Sequence, residues 1–177
     1  STNGTTWSAA TSGTTENLFG VAWSPALAQW VIAGSTGSIL YSTNGTDWSL
    51  ATSGTTENLR GVAWSPALAQ WVAVGDNNSI LHSLNGVTWG YSGEGFVGVF
   101  YGVAWSPALA QWVVVGDVGK IRYSTNGTDW SAATSGVTSV ILNSVAWSPA
   151  LAQWVAIGDS GTILHSTNGT TWSAATS

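Results

Sequence analysis

Val62-Ala-Trp-Ser-Pro-Ala-Leu-Ala-Gln-Trp-Val72 is eleven residues long and stands in the chain four times without a change, beginning at Val21, Val62, Val103 and Val145. The starts lie 41, 41 and 42 residues apart. Self-similarity at a fixed period of this size marks a repeat architecture, one supersecondary unit stacked on copies of itself. Within one period the pattern reads as strands. Val62-Ala-Trp64-Ser alternates large and small side chains and stops at Pro66; Gln70 to Val74 is a β-rich run closed by Gly75; Ser79-Ile-Leu-His82 is a third. A hairpin signal then leads into a fourth. Asn44-Gly45 recurs as Asn3-Gly4, Asn85-Gly86, Asn126-Gly127 and Asn168-Gly169, each just ahead of Trp48, Trp7, Trp89, Trp130 and Trp172 respectively. Asn-Gly is the preferred dipeptide of a two-residue type I′ turn, because both central residues need positive φ. Four strands per period result: A (Gly-Val-Ala-Trp-Ser), B (Gln-Trp-Val), C (Ile-Leu-Tyr/His) and D (Trp-Ser-Ala-Ala-Thr). Only Pro-Ala-Leu-Ala-Gln looks helical, and it is at most one turn.

Four short strands in about 41 residues is the length of a propeller blade. A parallel β-helix has shorter coils without Asn-Gly hairpins, and a sandwich has no reason to repeat at this period. The expected fold is all-β, a β-propeller of four-stranded antiparallel blades in a single repeat domain, residues 1–177. Complete blades are expected at 20–53, 61–94, 102–135 and 144–177, with residues 1–13 left over as an extra outer strand and its hairpin. The hairpin Ser42-Thr-Asn-Gly-Thr-Asp-Trp48 resembles a variant of the Asp-box, the hairpin motif of sialidase-like propellers and of photosystem II assembly factor-like propellers. Through repetition the resemblance runs the length of the chain. It departs at the residue that names the motif, since Thr43, Thr125 and Thr167 hold the position two before the glycine, while Gly-x-x-Trp is kept. The resemblance implies the fold and not sialidase chemistry. That chemistry needs an arginine cluster, a tyrosine nucleophile with its carboxylate partner, and an acid, and the only arginines are Arg60 and Arg122.

An unpaired outer strand is a pairing liability. It can replace the chain's own last strand in a closed four-bladed ring, or reach another molecule. Two chains sharing one eight-bladed ring, or exchanging end strands, are the competing expectations, so the chain itself, through residues 1–13, is an expected partner.

Composition narrows the function classes. Of 177 residues only 3 are basic and 8 acidic, a net charge of −5 and 6% charged side chains, where a soluble domain carries about 25%. Neutral hydroxyls and amides wet the surface instead. With Arg60, Lys120 and Arg122 as the whole basic complement, no positive field exists for nucleic acid or an anionic membrane surface. With no cysteine there is no disulfide framework and no thiolate metal site. The longest apolar stretch, Gly20 to Gly34, contains Ser24, Pro25 and Gln29 and is too short to span a bilayer. No targeting signal is visible in this stretch of sequence, and the expectation is a soluble chain of unassigned compartment.

Several strings imitate active sites, and the repeat supplies the control for each. Gly158-Asp-Ser-Gly161 looks like the nucleophile of a serine protease, yet its counterparts Gly75-Asp-Asn-Asn78 and Gly116-Asp-Val-Gly119 read as B–C turns. Gly93-Glu-Gly-Phe-Val-Gly98 has dinucleotide-binding spacing, but no helix follows to receive a pyrophosphate. His82 and His165 take the strand position of Tyr41 and Tyr123, and nothing completes a zinc set. The expectation is no catalytic residue, no metal and no cofactor. Trp23, Trp64, Trp105 and Trp147 on strand A, with Trp30, Trp71, Trp112 and Trp154 on strand B, read as residues wedged between blades.

The copies differ on one face. The A–B and C–D connections are near-identical, whereas the D–A loops diverge and deliver Phe19, Arg60, Tyr101 or Asn143 into strand A. Those four, with Asp76, Asp117, Lys120 and Asp159, are the candidate ligand-binding residues, expected at the mouth of the ring; loop drift is the competing account. Identity over eleven residues exceeds what packing demands. The reading is therefore a recently amplified or assembled blade, a non-enzymatic repeat scaffold without a selected ligand. A lectin-like module for neutral glycans, or a module for a partner surface, is the alternative.

Overall fold

In a computed structural model, which describes residues 1, 3–92 and 97–175, the chain folds into four antiparallel four-stranded meanders. The first is β1 (Leu18–Ser24), β2 (Gln29–Gly34), β3 (Ile39–Ser42) and β4 (Ser49–Leu50). The second is β5 (Leu59–Ser65), β6 (Gln70–Gly75), β7 (Ile80–Ser83) and β8 (Gly90–Ser92). The third is β9 (Phe100–Ser106), β10 (Gln111–Gly116), β11 (Ile121–Ser124) and β12 (Ser131–Ala132), and the fourth is β13 (Leu142–Ser148), β14 (Gln153–Gly158), β15 (Ile163–Ser166) and β16 (Ser173–Ala174). The first strands of successive blades pack on one another, β1 on β5, β5 on β9 and β9 on β13, so the A strands are innermost. No comparable packing joins β13 to β1, and the four blades form an open arc.

The period-2 alternation of strand B explains the packing. Trp71 and Ala73 face the blade before, Val72 and Val74 the blade after, and all four are fully buried. One core lies between blades one and two, where Val31, Ala33 and Ile39 meet Leu59, Val62, Trp64 and Trp71. Equivalent cores around Trp112 and Trp154 fill the next two junctions. At every blade the A and B tryptophans stand opposite each other with ring centroids 4.9 to 5.1 Å apart.

The structure corrects four local expectations. The Asn-Gly connection is not a type I′ turn. Gly45 has φ +77° but Asn44 is not among the residues of positive φ. Instead the Asn44 Oδ1 accepts from the Thr46 and Asp47 amides at 2.9 Å, and the Ser42 Oγ accepts from the Asn44 and Gly45 amides. These side-chain caps hold a longer loop that a two-residue turn cannot match. The D strands are two or three residues long rather than five. Residues 1–13 contain no strand among those described, because no C strand precedes them to pair with; Thr11 makes a single parallel bridge to Asp47. Finally, Trp23 and Trp30 are 39% and 38% exposed, whereas Trp71 and Trp112 are fully buried, because no blade covers the leading face of the first.

The tight B–C turns put a β-branched side chain at positive φ twice, Thr36 at +52° in blade one and Val118 in blade three. Val118 adopts φ +45° in the turn Asp117–Gly119, a conformation costly for a β-branched side chain, while Asn77 and Asn78 take it in blade two. Val118→Asn is expected to raise the unfolding free energy by about 1 kcal/mol, read as an increase in Tm.

Candidate functional site

The four residues that differ at the start of strand A share one structural cause for their prominence. In each blade the A–B register slips by one residue: Leu59 opposes Gly75 and Gly61 opposes Val74, leaving Arg60 unpaired. Phe19, Tyr101 and Asn143 are the unpaired residues of the same bulge in the other blades. A bulge bends its strand and re-aims one side chain. It also starts each A strand two residues before the expected glycine or serine, at Leu18, Leu59, Phe100 and Leu142.

Three of these side chains converge. The Arg60 guanidinium carbon lies 5.8 Å from the Phe19 ring centre and 5.2 Å from that of Tyr101, so one cation of blade two bridges the aromatic rings of blades one and three. Such contacts contribute about 0.5–1 kcal/mol at exposed sites. Asp76, at the B–C turn of blade two, accepts from Arg60 Nε and, at 3.0 Å, from Nη2, and the Asn58 amide donates to it at 2.9 Å. Burial alone would push the Asp76 carboxyl up, but the hydrogen bonds from Arg60 and Asn58 and the guanidinium charge outweigh it and hold the group below the usual carboxylate range. Arg60 is raised in turn, chiefly by its hydrogen bond to Asp76. Because the folded-state value of Asp76 is depressed, the stability it contributes is present above about pH 4 and is lost as pH falls through the lower folded value. Arg60→Ala is expected to flatten the acid limb of a Tm-against-pH curve below about pH 4; an unchanged limb would contradict the coupling.

The other expected residues form two separate pairs. Lys120 Nζ donates to the Asp117 carboxylate at 3.0 Å and to the Val97 carbonyl. Asn143 Nδ2 donates to Asp159 Oδ1 at 2.9 Å, on the exposed last blade. The mouth is thus an arch over blades one to three with a polar pair at blade four, and not a closed rim. Asn58 was missing from the expected set; its signal is the repeated Thr-Thr-Glu-Asn-Leu of the first two D–A loops. Also unforeseen is a shallow depression of about 580 Å³ beside the arch, lined by residues 51–57, Asn77 and Tyr91, the last 55% exposed. The glycine-rich string Gly93 to Gly98, and the ends of the expected blades 61–94 and 144–177, fall partly on residues 93–96 and 176–177, outside those described.

Four antiparallel meanders of four strands, innermost edges stacked side by side, define a protein of the β-propeller class. Among solved structures the chain is similar to YCF48 from Cyanidioschyzon merolae, at 18% identity and a TM-score of 0.70 over 93% of this chain and 57% of that one. It is also similar to a chain of a nidogen/laminin complex, at 14% identity and 0.69 over 86% and 61%. An ancestral GH74 enzyme matches at 18% identity and 0.72 over 88% and 23%. The chain therefore spans little more than half of the first two, and these likenesses speak to fold alone. No protein-family model and no curated protein matches the sequence.

Proposed function

We propose that this chain is a non-enzymatic β-propeller interaction module, whose identical segments build the scaffold and whose bulge residues contact another protein or peptide. The observation that carries the reading is the Phe19, Arg60, Tyr101 arch: the bulge position varies in every copy, and in three of the four blades its side chains meet. Phe19 is 47% exposed, and its aromatic face with a guanidinium beneath it is the composition enriched at protein interfaces. Propellers of similar fold occur as YCF48 bound to D1 peptide and in the nidogen/laminin complex. Catalysis finds no support in the carboxylates of this face, since Asp76, Asp117 and Asp159 are each engaged by a neighbouring side chain.

A neutral glycan is the second reading, favoured by the hydroxyl-lined depression and the exposed Tyr91 ring. Probing the labelled chain on peptide and glycan arrays separates the two. Peptide binding lost in Phe19→Ala, Arg60→Ala and Tyr101→Ala supports the arch. Glycan binding lost only in Tyr91→Ala supports the depression, and silence on both arrays leaves a repeat scaffold without a ligand.

A further inference from the structure

The two end blades of the arc expose complementary halves of the junction that the chain builds three times internally. On the leading face of blade one, Val21 is 60% and Leu18 41% exposed, while their equivalents Val62 and Leu59 are 8% and 0%. On the trailing face of blade four, Ile157 and Ile163 are 49% and 47% exposed, while Val74 and Ile80 are fully buried. The polar half of the junction is also split. The carboxamide oxygens of Gln29, Gln70 and Gln111 lie against Gly86, Gly127 and Gly169 in the next blade's C–D loop. Gln153 has no such loop to reach and lies 3.3 Å from His165 Nδ1, and Gly45 has only its own Trp30 nearby.

A second duplication bears on the same junction. Residues 1–12 and 166–177 have the identical sequence Ser-Thr-Asn-Gly-Thr-Thr-Trp-Ser-Ala-Ala-Thr-Ser. Thr11 bridges to Asp47 in blade one as Thr52 bridges to Thr88 in blade two and Thr134 to Thr171 in blade four. Thr11 therefore bridges where the outer strand of a preceding blade would, and the segment that would close a fourth blade ahead of it has the same sequence as residues 1–12.

We propose that the open faces are filled by a second copy of this chain, the trailing face of each blade four packing on the leading face of the other copy's blade one to close a two-chain ring of eight blades. Each closing junction has one outer-strand place and two identical segments able to fill it, residues 166–177 of one copy or residues 1–12 of the other. The occupant is a second copy because both halves of the interface are already present and already fit each other within the chain. Head-to-tail association of this kind closes into a ring or runs on as a filament. Two arcs of four blades reach the upper end of the usual propeller range of about four to eight, and a third would exceed it.

Light scattering of the intact chain at micromolar concentration should give twice the 18.2 kDa chain mass. Val21→Glu and Ile157→Arg place charges on surface that is exposed in one chain and buried in the ring, so each should give the single-chain mass with an unchanged circular dichroism spectrum. Removing residues 1–12, or residues 167–177, should leave the dimer; removing both should lower its Tm by more than the two single effects together. A single-chain mass for the intact protein, a mass above two chains, or a dimer untouched by both substitutions would overturn the ring. Dissociation on removing residues 1–12 alone would overturn the interchange of the end segments.

Discussion

Gly75→Ala is expected to cost about 3 kcal/mol or more of unfolding free energy, at or beyond the upper end of ordinary overpacking, and to dismantle the arch with it. Gly75 ends β6 in extended backbone where the D–A loop crosses it. An added Cβ would stand 2.9 Å from both the Asn58 carbonyl carbon and Leu59 Cα and would overlap the Asn58 oxygen outright. That oxygen accepts from the Asp76 amide at 2.8 Å, and the Asn58 side chain holds the carboxylate paired with Arg60. Backbone cannot rotate aside as a side chain would, so loop and turn must separate and the hydrogen bonds break together. Gly54→Ala is the control. Gly54 has φ +76° with open space around its Cβ position, so only conformational strain of roughly 1 kcal/mol applies. Urea midpoints for the two variants should separate widely, and equal midpoints would remove close approach as the cause.

The same crossing shows what sequence could and could not reveal. The repeat, the blade length, the A to D strand order and the place of the variable residues were all legible, because each depends on local pattern: apolar alternation, Pro and Gly punctuation, and identity at a fixed spacing. The bulge was not. It lies in the mismatch between two strands, Leu59 against Gly75 and then Gly61 against Val74, and no single strand records it. The Asn-Gly loop misled for a related reason: the dipeptide suits a type I′ turn, but Ser42 and the Asn44 side chain offer the backbone another set of hydrogen bonds. The arc was illegible because closure depends on a small rotation between blades summed around the ring. The convergence of Phe19, Arg60 and Tyr101 followed from their equivalent positions, whereas Asn58 (Asn17, Val99 and Ile141 in the other blades) and Tyr91 (Leu50, Ala132 and Ala174) also vary between copies, and only the meeting of loop, turn and outer strand shows what they line.

Trp112→Ala should be the most damaging substitution in the cores, with a cost of about 3–5 kcal/mol, the usual range for truncating a buried tryptophan. Trp112 is fully buried in the core between blades two and three, among Val72, Val74, Ile80 and Phe100. In a repeat array each unit contacts only its neighbours, so stability is a sum of unit terms and junction terms. Weakening the central junction leaves blades one and two connected to three and four by little else. Unfolding should accordingly broaden and its urea m-value fall, because halves that unfold separately each expose less surface. Trp30→Ala removes the same indole from the uncovered leading face, where it is 38% exposed. In the monomeric Val21→Glu background its cost should be about half that of Trp112→Ala or less, with the m-value unchanged. In the intact dimer, by contrast, Trp30→Ala should weaken association and make Tm depend more steeply on protein concentration, as loss of a partner that binds only the folded chain requires. Equal costs for Trp30 and Trp112 in the monomeric background would mean that the leading face is already covered within one chain.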